Sequence, residues 1–280
     1  MLDRKVKVKD VQNLGAGNYL LTLGSPEQAR LARPGQFLML KCGEDMDGNP
    51  LLRRPFSIFS IDRPVRTGRS AGIKILVKDV GVGTNKLVHA KPGQELFALG
   101  PQGRPFHLAK DMAGEVRYAC LVAGGVGIAA LYLLAKELIA LGINPILFYG
   151  ARSARELVLR DHFERLGIQT CYATMDGSKG ERGLVTAPLI RFLKKHRKDG
   201  VKMYACGPWA MMRAVDKLAR QYSVPCEVSL EARMGCSLGA CMGCVVQTKK
   251  GDRSPAHYIR VCMEGPVINS RMINWEHPPL

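Results

Sequence analysis

Short apolar runs separated by turn residues fill the first hundred positions. They are NYLLTL (18–23), GQFLMLKC (35–42), FSIFSI (56–61), GIKILVKDV (72–80) and QELFAL (94–99), broken by RPGQ, DGNP, RTGRSAG, KPGQ and GPQG. Strands of this length at this spacing predict a β-barrel or sandwich. The period then changes. YACLVAGG (118–125) reads as a buried strand, and IAALYLLAKELIALG as a helix ending at Gly142. PILFYGAR is a strand, and SARELVLRDHFERLG a helix with Ser153 as its N-cap. QTCYATMDG and VKMYACGP read as strands, and VTAPLIRFLKKHRKDG and WAMMRAVDKLARQYS as helices. Strands alternating with helices build a doubly wound parallel sheet. A cysteine-rich loop and a last apolar strand, HYIRVC, follow. The expected fold is therefore multidomain, β plus α/β: residues 1–108 all β, 109–225 α/β, and 226–280 a small cysteine-bearing subdomain and tail.

At 280 residues with 46% hydrophobic positions, the chain is long enough for about two ordinary domains with real cores. One uncharged stretch of 18 residues, 118–135, is at the lower edge of a membrane span. The glycines in its middle favour strand, turn and helix, so no membrane association is expected. The opening MLDRKVKVKD is charged and has no apolar centre, which argues against a signal peptide and for a cytoplasmic protein. The net charge of +17, from 41 basic and 24 acidic residues, would suit nucleic acid or an anionic cofactor. Its cations are scattered apart from RFLKKHRKDGVK (191–202), and no nucleic-acid fingerprint accompanies them, so a solvated face is the expectation.

Two glycine turns carry candidate chemistry. LVAGGVGIAAL (121–131) passes from strand to helix through Gly124, Gly125 and Gly127, and YACGPWAMM (204–212) does so through Gly207 and Pro208. Such turns let a phosphate approach the backbone at a helix N-terminus, although tight packing also asks for glycine. Both fall at the carboxyl edge of the sheet, where ligands of open parallel sheets bind. In the β half, LRRPFSIFSI (52–61) precedes GVGT (81–84). Arg53 and Arg54 offer charge-assisted hydrogen bonds to a pyrophosphate, and Thr84 is placed to N-cap a short helix facing it.

An R-x-aromatic-S segment, then G-x-x-T, then G-G-x-G and C-G-P resembles the ferredoxin–NADP reductase superfamily. The resemblance implies an antiparallel β-barrel holding FAD and an α/β domain holding a pyridine nucleotide, NAD(H) as co-substrate. It places Arg54 and Pro55 with Gly83 and Thr84 on the flavin pyrophosphate. Phe56 would stack where many members have Tyr, Ser57 would face the reactive edge of the isoalloxazine, and Leu76, Val77 and Lys78 would line the ring. It places Gly124, Gly125, Gly127, Gly207 and Pro208 around the nicotinamide nucleotide, with Ala130 standing where a proline is usual. Cys206 either lies near the nicotinamide or is a small buried thiol. Arg152 and Arg155 in GARSARE would favour a 2′-phosphate, which leaves NAD against NADP open.

Nine cysteines in a chain of this character suggest metal or redox chemistry more than disulfides. Cys236, Cys241 and Cys244 give C-x4-C-x2-C and Cys262 follows, the plant-type [2Fe-2S] order. Zinc usually takes two separated pairs, and only one C-x2-C pair is present. A hairpin turning near KKGDRSP would bring Cys262 back to the loop, while Cys226 would pack as a small hydrophobe. SLEARMGCSLGACMGCVV and RVCMEGPV resemble the electron-transfer subunits of NAD-dependent dihydroorotate dehydrogenases over residues 1–268.

That resemblance implies a flavoprotein electron-transport subunit of pyrimidine biosynthesis. Its partner would be an FMN-containing dihydroorotate dehydrogenase catalytic subunit, in a heterotetramer with two copies of each chain. Electrons would pass from FMN through [2Fe-2S] and FAD to NAD+. No residue reads as an acid or base for the pyrimidine step. One alternative is a reductase subunit serving another partner, of ferredoxin or sulfite-reductase type. The all-cysteine loop argues against ferredoxin-bifurcating relatives, which can depart from such ligation. A second alternative, from another class, is a basic zinc-bearing nucleic-acid module.

Overall fold

The computed structural model describes residues 2–43, 48–62, 71–108, 115–249 and 258–279. Six antiparallel strands close a barrel in the order β1-β2-β5-β4-β3-β6. They are β1 Leu2–Gly15, β2 Asn18–Gly24, β3 Phe37–Leu40, β4 Arg54–Asp62, β5 Gly72–Lys78 and β6 Glu95–Gln102. The charged opening segment is the longest of them. Val6 and Val8 alternate into the core between Lys5, Lys7 and Lys9, the period of a half-buried strand. Two helices, α1 Pro26–Leu31 and α2 Val82–Val88, flank the barrel.

The second sheet has seven strands in the order β10-β9-β8-β7-β11-β12-β15. Its members are β7 Tyr118–Gly124, β8 Asn144–Ala151, β9 Gln169–Thr174, β10 Glu181–Arg182, β11 Val201–Cys206, β12 Cys226–Ser229 and β15 Val267–Asn269. All neighbours run parallel except β15, which is antiparallel to β12. Every residue of β11 and nearly every one of β7 is buried, as a parallel sheet covered on both faces requires. The covering helices are α3 Tyr132–Ala140, α4 Arg160–Glu164, α5 Thr186–His196 and α6 Trp209–Gln221. The uncharged stretch 118–135 is thus strand, 3-10 turn and helix. Among the described residues no helix is long and apolar enough to cross a membrane.

Three expectations change. The segment 153–167 is not one helix capped by Ser153. A short 3-10 turn at 154–156 is followed by Leu159 in the left-handed region (φ 61°), and only 160–164 is α-helical. Leu157, Val158 and Leu159 are all buried, a consecutive run that no single helix face can supply. The basic run 191–202 is not one solvated face: Lys202 is buried, 3.3 Å from Glu227. Finally, β12 and β15 belong to the nucleotide sheet, although they fall within 226–280. The remainder of that span carries a two-stranded ribbon, β13 Val245–Gln247 with β14 Tyr258–Arg260, inserted between those sheet neighbours. The ribbon's turn, expected near 249–255, lies outside the described residues beyond Lys249.

Barrel and sheet share apolar cores. Phe59 of β4 stacks on Tyr132 of α3 with ring centroids 4.5 Å apart, and Leu20 and Leu76 join the core that contains the glycine turn. The tail, which carries no readable motif, docks on α6. Trp275 is 5% exposed and lies 4.6 Å from Trp209 ring to ring, and Ser270 donates to the buried Asp216 at 2.7 Å.

Candidate functional site

A cavity of about 480 Å³ opens where the barrel meets the carboxyl edge of the sheet. Arg54, Pro55, Phe56 and Ser57 enter it from β4, Leu76 and Lys78 from β5, and Thr84 from α2. The opposite wall is Val126 and Ala129 of the glycine turn together with Ser229–Met234, the segment leaving β12. The site therefore collects four stretches that are far apart in sequence, and a β-strand's alternation decides which side chains reach it. Leu76 and Lys78 do; Val77, on the other face, is fully buried in the barrel core and does not line the cleft.

The two arginines separate. Arg54 donates to the carbonyls of Leu52 and Arg53 at 2.8 and 3.3 Å, which holds its guanidinium at the cleft. Arg53 is engaged elsewhere, in a two-pronged pair with Asp3 at 2.8 Å on each arm. Thr84 is the third residue of α2 rather than its cap. Its hydroxyl accepts from the N–H groups of Val80 and Gly81 at 2.9 and 3.1 Å and so fixes the turn from inside the helix. Gly83 does not line the cleft. A Cβ there would sit 3.1 Å from Pro50 and 3.3 Å from the Cys42 sulfur, so α2 packs closely at this glycine.

At the sheet edge the two glycine turns lean on one another. A Cβ on Gly127 would lie 2.3 Å from the Cys206 carbonyl oxygen, and one on Gly124 would lie 2.6 Å from Pro208. Gly207, at φ 153°, would clash with Gly124 at 2.9 Å. Gly125 differs: its φ of 52° asks for glycine, but the space beside it is open. Tyr149, buried in β8, donates its hydroxyl to the Gly125 carbonyl at 3.1 Å and braces that turn.

Cys206, at the end of β11, is 1% exposed and touches Ser229 across the parallel pair; burial pushes its thiol up. Glu231 is open to the cleft yet enclosed by surrounding protein, and desolvation raises its carboxyl pKa. Sequence reasoning missed it. Its only signal was a lone acid between a strand end and the cysteine loop. Arg152, flagged for a 2′-phosphate, instead grips Glu156, donating from Nε at 2.9 Å and from its terminal nitrogen. Arg155 is exposed.

Two residues beyond Met234 the same segment becomes the cysteine loop. The N–H groups of Leu238 and Cys241 point at the Cys236 sulfur (3.3 and 3.4 Å), and that of Gly243 at the Cys241 sulfur (3.5 Å). These donors hold the Cys236 thiol down to about 6. Cys241 is exposed; Cys244 and Cys262 are each 3% exposed. Burial and the neighbouring Cys244 push Cys262 up to about 12. The sulfurs thus pair, Cys236 with Cys241 and Cys244 with Cys262, with Cys236 also felt at Cys262. Among the described residues no three His, Cys, Asp or Glu side chains are drawn together tightly enough to hold a metal ion. Four cysteines in the C-x4-C-x2-C…C order, with N–H donors turned toward the Cys236 and Cys241 sulfurs, are the donor set a two-iron cluster would take. Cys226 lies in β12, buried in the same apolar core that Cys244 and Cys262 join, with its thiol beside Ser270 and Asp216. The Ser237 hydroxyl donates to buried Gln102, tying the loop to the barrel.

Comparison with known proteins agrees with this geometry. Residues 231–274 match the model of the iron-sulfur cluster binding domain of dihydroorotate dehydrogenase B, and residues 121–217 that of the oxidoreductase NAD-binding domain. The electron transfer subunit of dihydroorotate dehydrogenase B (NAD(+)) from Desulforamulus reducens is 37% identical over 273 residues, 96% of this chain and 97% of that one. The corresponding subunit from Fusobacterium nucleatum is 36% identical over 84% of each chain. Among solved structures, an NADH-dependent reduced ferredoxin-NADP oxidoreductase studied for flavin-based electron bifurcation superposes with a TM-score of 0.79. Its identity is 27%, over 97% of this chain and 90% of that one. A ferredoxin reductase of carbazole 1,9a-dioxygenase shares the fold (TM-score 0.65, 22% identity, 80% and 67% coverage). The match to an iron-sulfur domain sets aside the zinc-bearing nucleic-acid reading. With more than a third of its residues shared along nearly the whole of a curated relative, this chain belongs to the electron transfer subunits of the NAD(+)-dependent dihydroorotate dehydrogenases B, oxidoreductases of the ferredoxin reductase-like fold.

Proposed function

We propose that the interdomain cleft holds FAD and the cysteine loop a [2Fe-2S] cluster, and that the chain passes electrons from an FMN-containing catalytic partner to NAD+ in the cytoplasm. One observation carries this reading: a single stretch, Ser229–Cys236, lines the cleft and then supplies the first cluster ligand. Two residues span at most ~7 Å of extended chain, so the loop stands directly against the cleft wall. A flavin there exchanges hydride with a nicotinamide and single electrons with a cluster, which is why it belongs between the two.

The residues then divide the work. Arg54 neutralises the flavin pyrophosphate at the N-terminal end of α2, whose turn Thr84 fixes. Phe56, Ser57, Leu76 and Lys78 enclose the ring, and Gly83 lets α2 pack beneath. Gly124, Gly125, Gly127, Gly207 and Pro208 form the floor on which the nicotinamide nucleotide lies. Cys206 and Glu231 stand at the side nearest the cluster loop. Cys236, Cys241, Cys244 and Cys262 hold the irons. Leu238, Met242 and Met263, exposed around the exposed Cys241, form the face on which the partner docks, in an assembly of two copies of each subunit. Three functional regions result, 1–108 for FAD, 109–225 for the pyridine nucleotide and 226–280 for the cluster, the last contributing two strands to the middle region's sheet.

The test uses the purified flavin- and cluster-loaded chain without a partner. It is expected to oxidise NADH with an artificial one-electron acceptor and to leave dihydroorotate unchanged. Dihydroorotate turnover by the isolated chain would overturn the subunit reading.

A further inference from the structure

The segment bearing the fourth cysteine carries a charged side chain that reaches back across the cysteine loop. Arg260 lies two residues before Cys262, and Glu264 two residues after it. The Arg260 guanidinium donates to the Gly239 carbonyl at 3.0 Å, in the middle of the C-x4-C turn. Its other arms grip Glu264, from Nε to Oε2 at 3.2 Å and from a terminal nitrogen to Oε1 at 2.5 Å. The Arg260 N–H also donates to that carboxylate, at 2.7 Å. Both side chains are about one-third exposed, at 35% and 32%. The guanidinium packs so closely that a Cβ on Gly239 would lie 2.9 Å from it. Next to it, the Val261 N–H donates to the Cys244 carbonyl at 3.0 Å. The Arg260 charge is close enough to Cys244 and Cys262 to be stabilised by their sulfurs.

Backbone hydrogen bonds alone would serve to hold this turn. An ion pair adds a paired positive and negative charge beside a redox group, and net charge is one of the protein's means of setting a cluster's potential. Reduction adds negative charge to the cluster. A nearby cation favours the reduced state and a nearby anion opposes it, more strongly at a partly dehydrated site than in water.

We propose that Arg260 and Glu264 are a positioning pair for the cluster: Arg260 clasps the cysteine loop to the Cys262 segment, and the two opposed charges together set the cluster's reduction potential. The inference rests on the two-iron reading of the cysteine loop and adds to it residues that touch no iron. Removing either partner leaves the other charge uncompensated, so the two single variants move the potential in opposite directions. A purely structural clasp would move both the same way.

The experiment measures the cluster midpoint by redox titration followed by electron paramagnetic resonance, together with iron and sulfide per flavin. It uses the loaded chain, Arg260→Gln, Arg260→Lys, Glu264→Gln and Cys262→Ser. Arg260→Gln is expected to shift the midpoint down and Glu264→Gln to shift it up, with Arg260→Lys near the parent value. Arg260→Gln is also expected to lose iron to a chelator about tenfold faster than the parent. Shifts of the same sign in the two single variants, or no shift in either, would overturn the proposal. If Arg260→Gln fails to retain a cluster, Glu264→Gln and Arg260→Lys decide the matter, because both keep a cation at position 260. Cys262→Ser separates the two levels of the argument: full cluster content there would defeat the two-iron reading itself, whatever Arg260 does.

Discussion

The glycine turns of the sheet and the glycines of the cysteine loop look alike in sequence and are held by different physics. At Gly124, Gly127 and Gly207 the neighbours a side chain would strike include backbone, ring carbons and each other. Among the described residues, the one atom near a Cβ on Gly235 or Gly243 is the Cys241 sulfur, at 3.3 and 3.6 Å, and Gly239 faces the side chains of Arg260 and Met263. The first group is fixed by two elements of a buried sheet meeting; neither can retreat. The second is fixed by donors turned toward sulfur and by side chains that can shift. A nucleotide floor is thereby a property of the fold, whereas the cluster cage is a property of a few local contacts. Losses at the floor should appear as instability, and losses in the cage as missing cofactor.

The largest expected effect is in the cage. Cys262→Ser should leave the chain folded with its flavin and without a stable cluster, while Cys226→Ser, in a core strand, should keep it. Iron and sulfide per flavin on both variants decide this, and normal content in Cys262→Ser with loss in Cys226→Ser would reverse the assignment. On the floor, Gly127→Ala forces a methyl against a backbone carbonyl and should cost ~3 kcal/mol or more of stability. Gly125→Ala meets open space and pays only for its left-handed backbone, ~1–2 kcal/mol. Equal denaturation midpoints for the pair would dissolve the contrast. Between the two regimes, Arg54→Ala should weaken flavin binding by ~1.5–3 kcal/mol, roughly 10- to 150-fold in Kd, with the fold intact. Its neighbour supplies the control: Arg53→Ala breaks only a surface pair with Asp3 and should change stability by less than about 1 kcal/mol and flavin affinity not at all. Between these in size, Ser237→Ala removes the buried hydrogen bond to Gln102 and should cost ~1 kcal/mol, read as a lowered midpoint in chemical denaturation.

Where one physical signal dominated, the sequence was legible. β7 and β11 are buried on both faces, so their apolar runs had one interpretation, and the C-x4-C-x2-C order pointed to the iron-sulfur domain whose model residues 231–274 match. Where two signals competed, the reading failed. The helical period of 153–167 was real, but three consecutive leucine and valine residues had to be buried, and the chain broke at Leu159 to do so. β1 hid behind its lysines, whose long stems cover the barrel while their charges stay wet. Glu231 could not be found because a single acid has no pattern; its environment is created by Cys206, Ser229 and the cleft, which only the fold assembles. Val77 and Gly83 came from the resemblance, which does not say where side chains pack: the Val77 side chain turns into the barrel core, and Gly83 lies against Pro50 and Cys42.

The insertion of the cluster region between β12 and β15 bears on how such a chain is built. Ser229 and Val267 are register partners, and the Leu230 N–H donates to the Pro266 carbonyl at 2.9 Å. Residues 230–266 therefore leave and re-enter the sheet through adjacent doorways, one strand spacing of ~4.8 Å apart. A tight turn would join those doorways as well as the whole insertion does. An iron-sulfur relay built this way hangs from a single connection of the sheet, so its presence leaves the order of the other strands unchanged while its first residues wall the cleft.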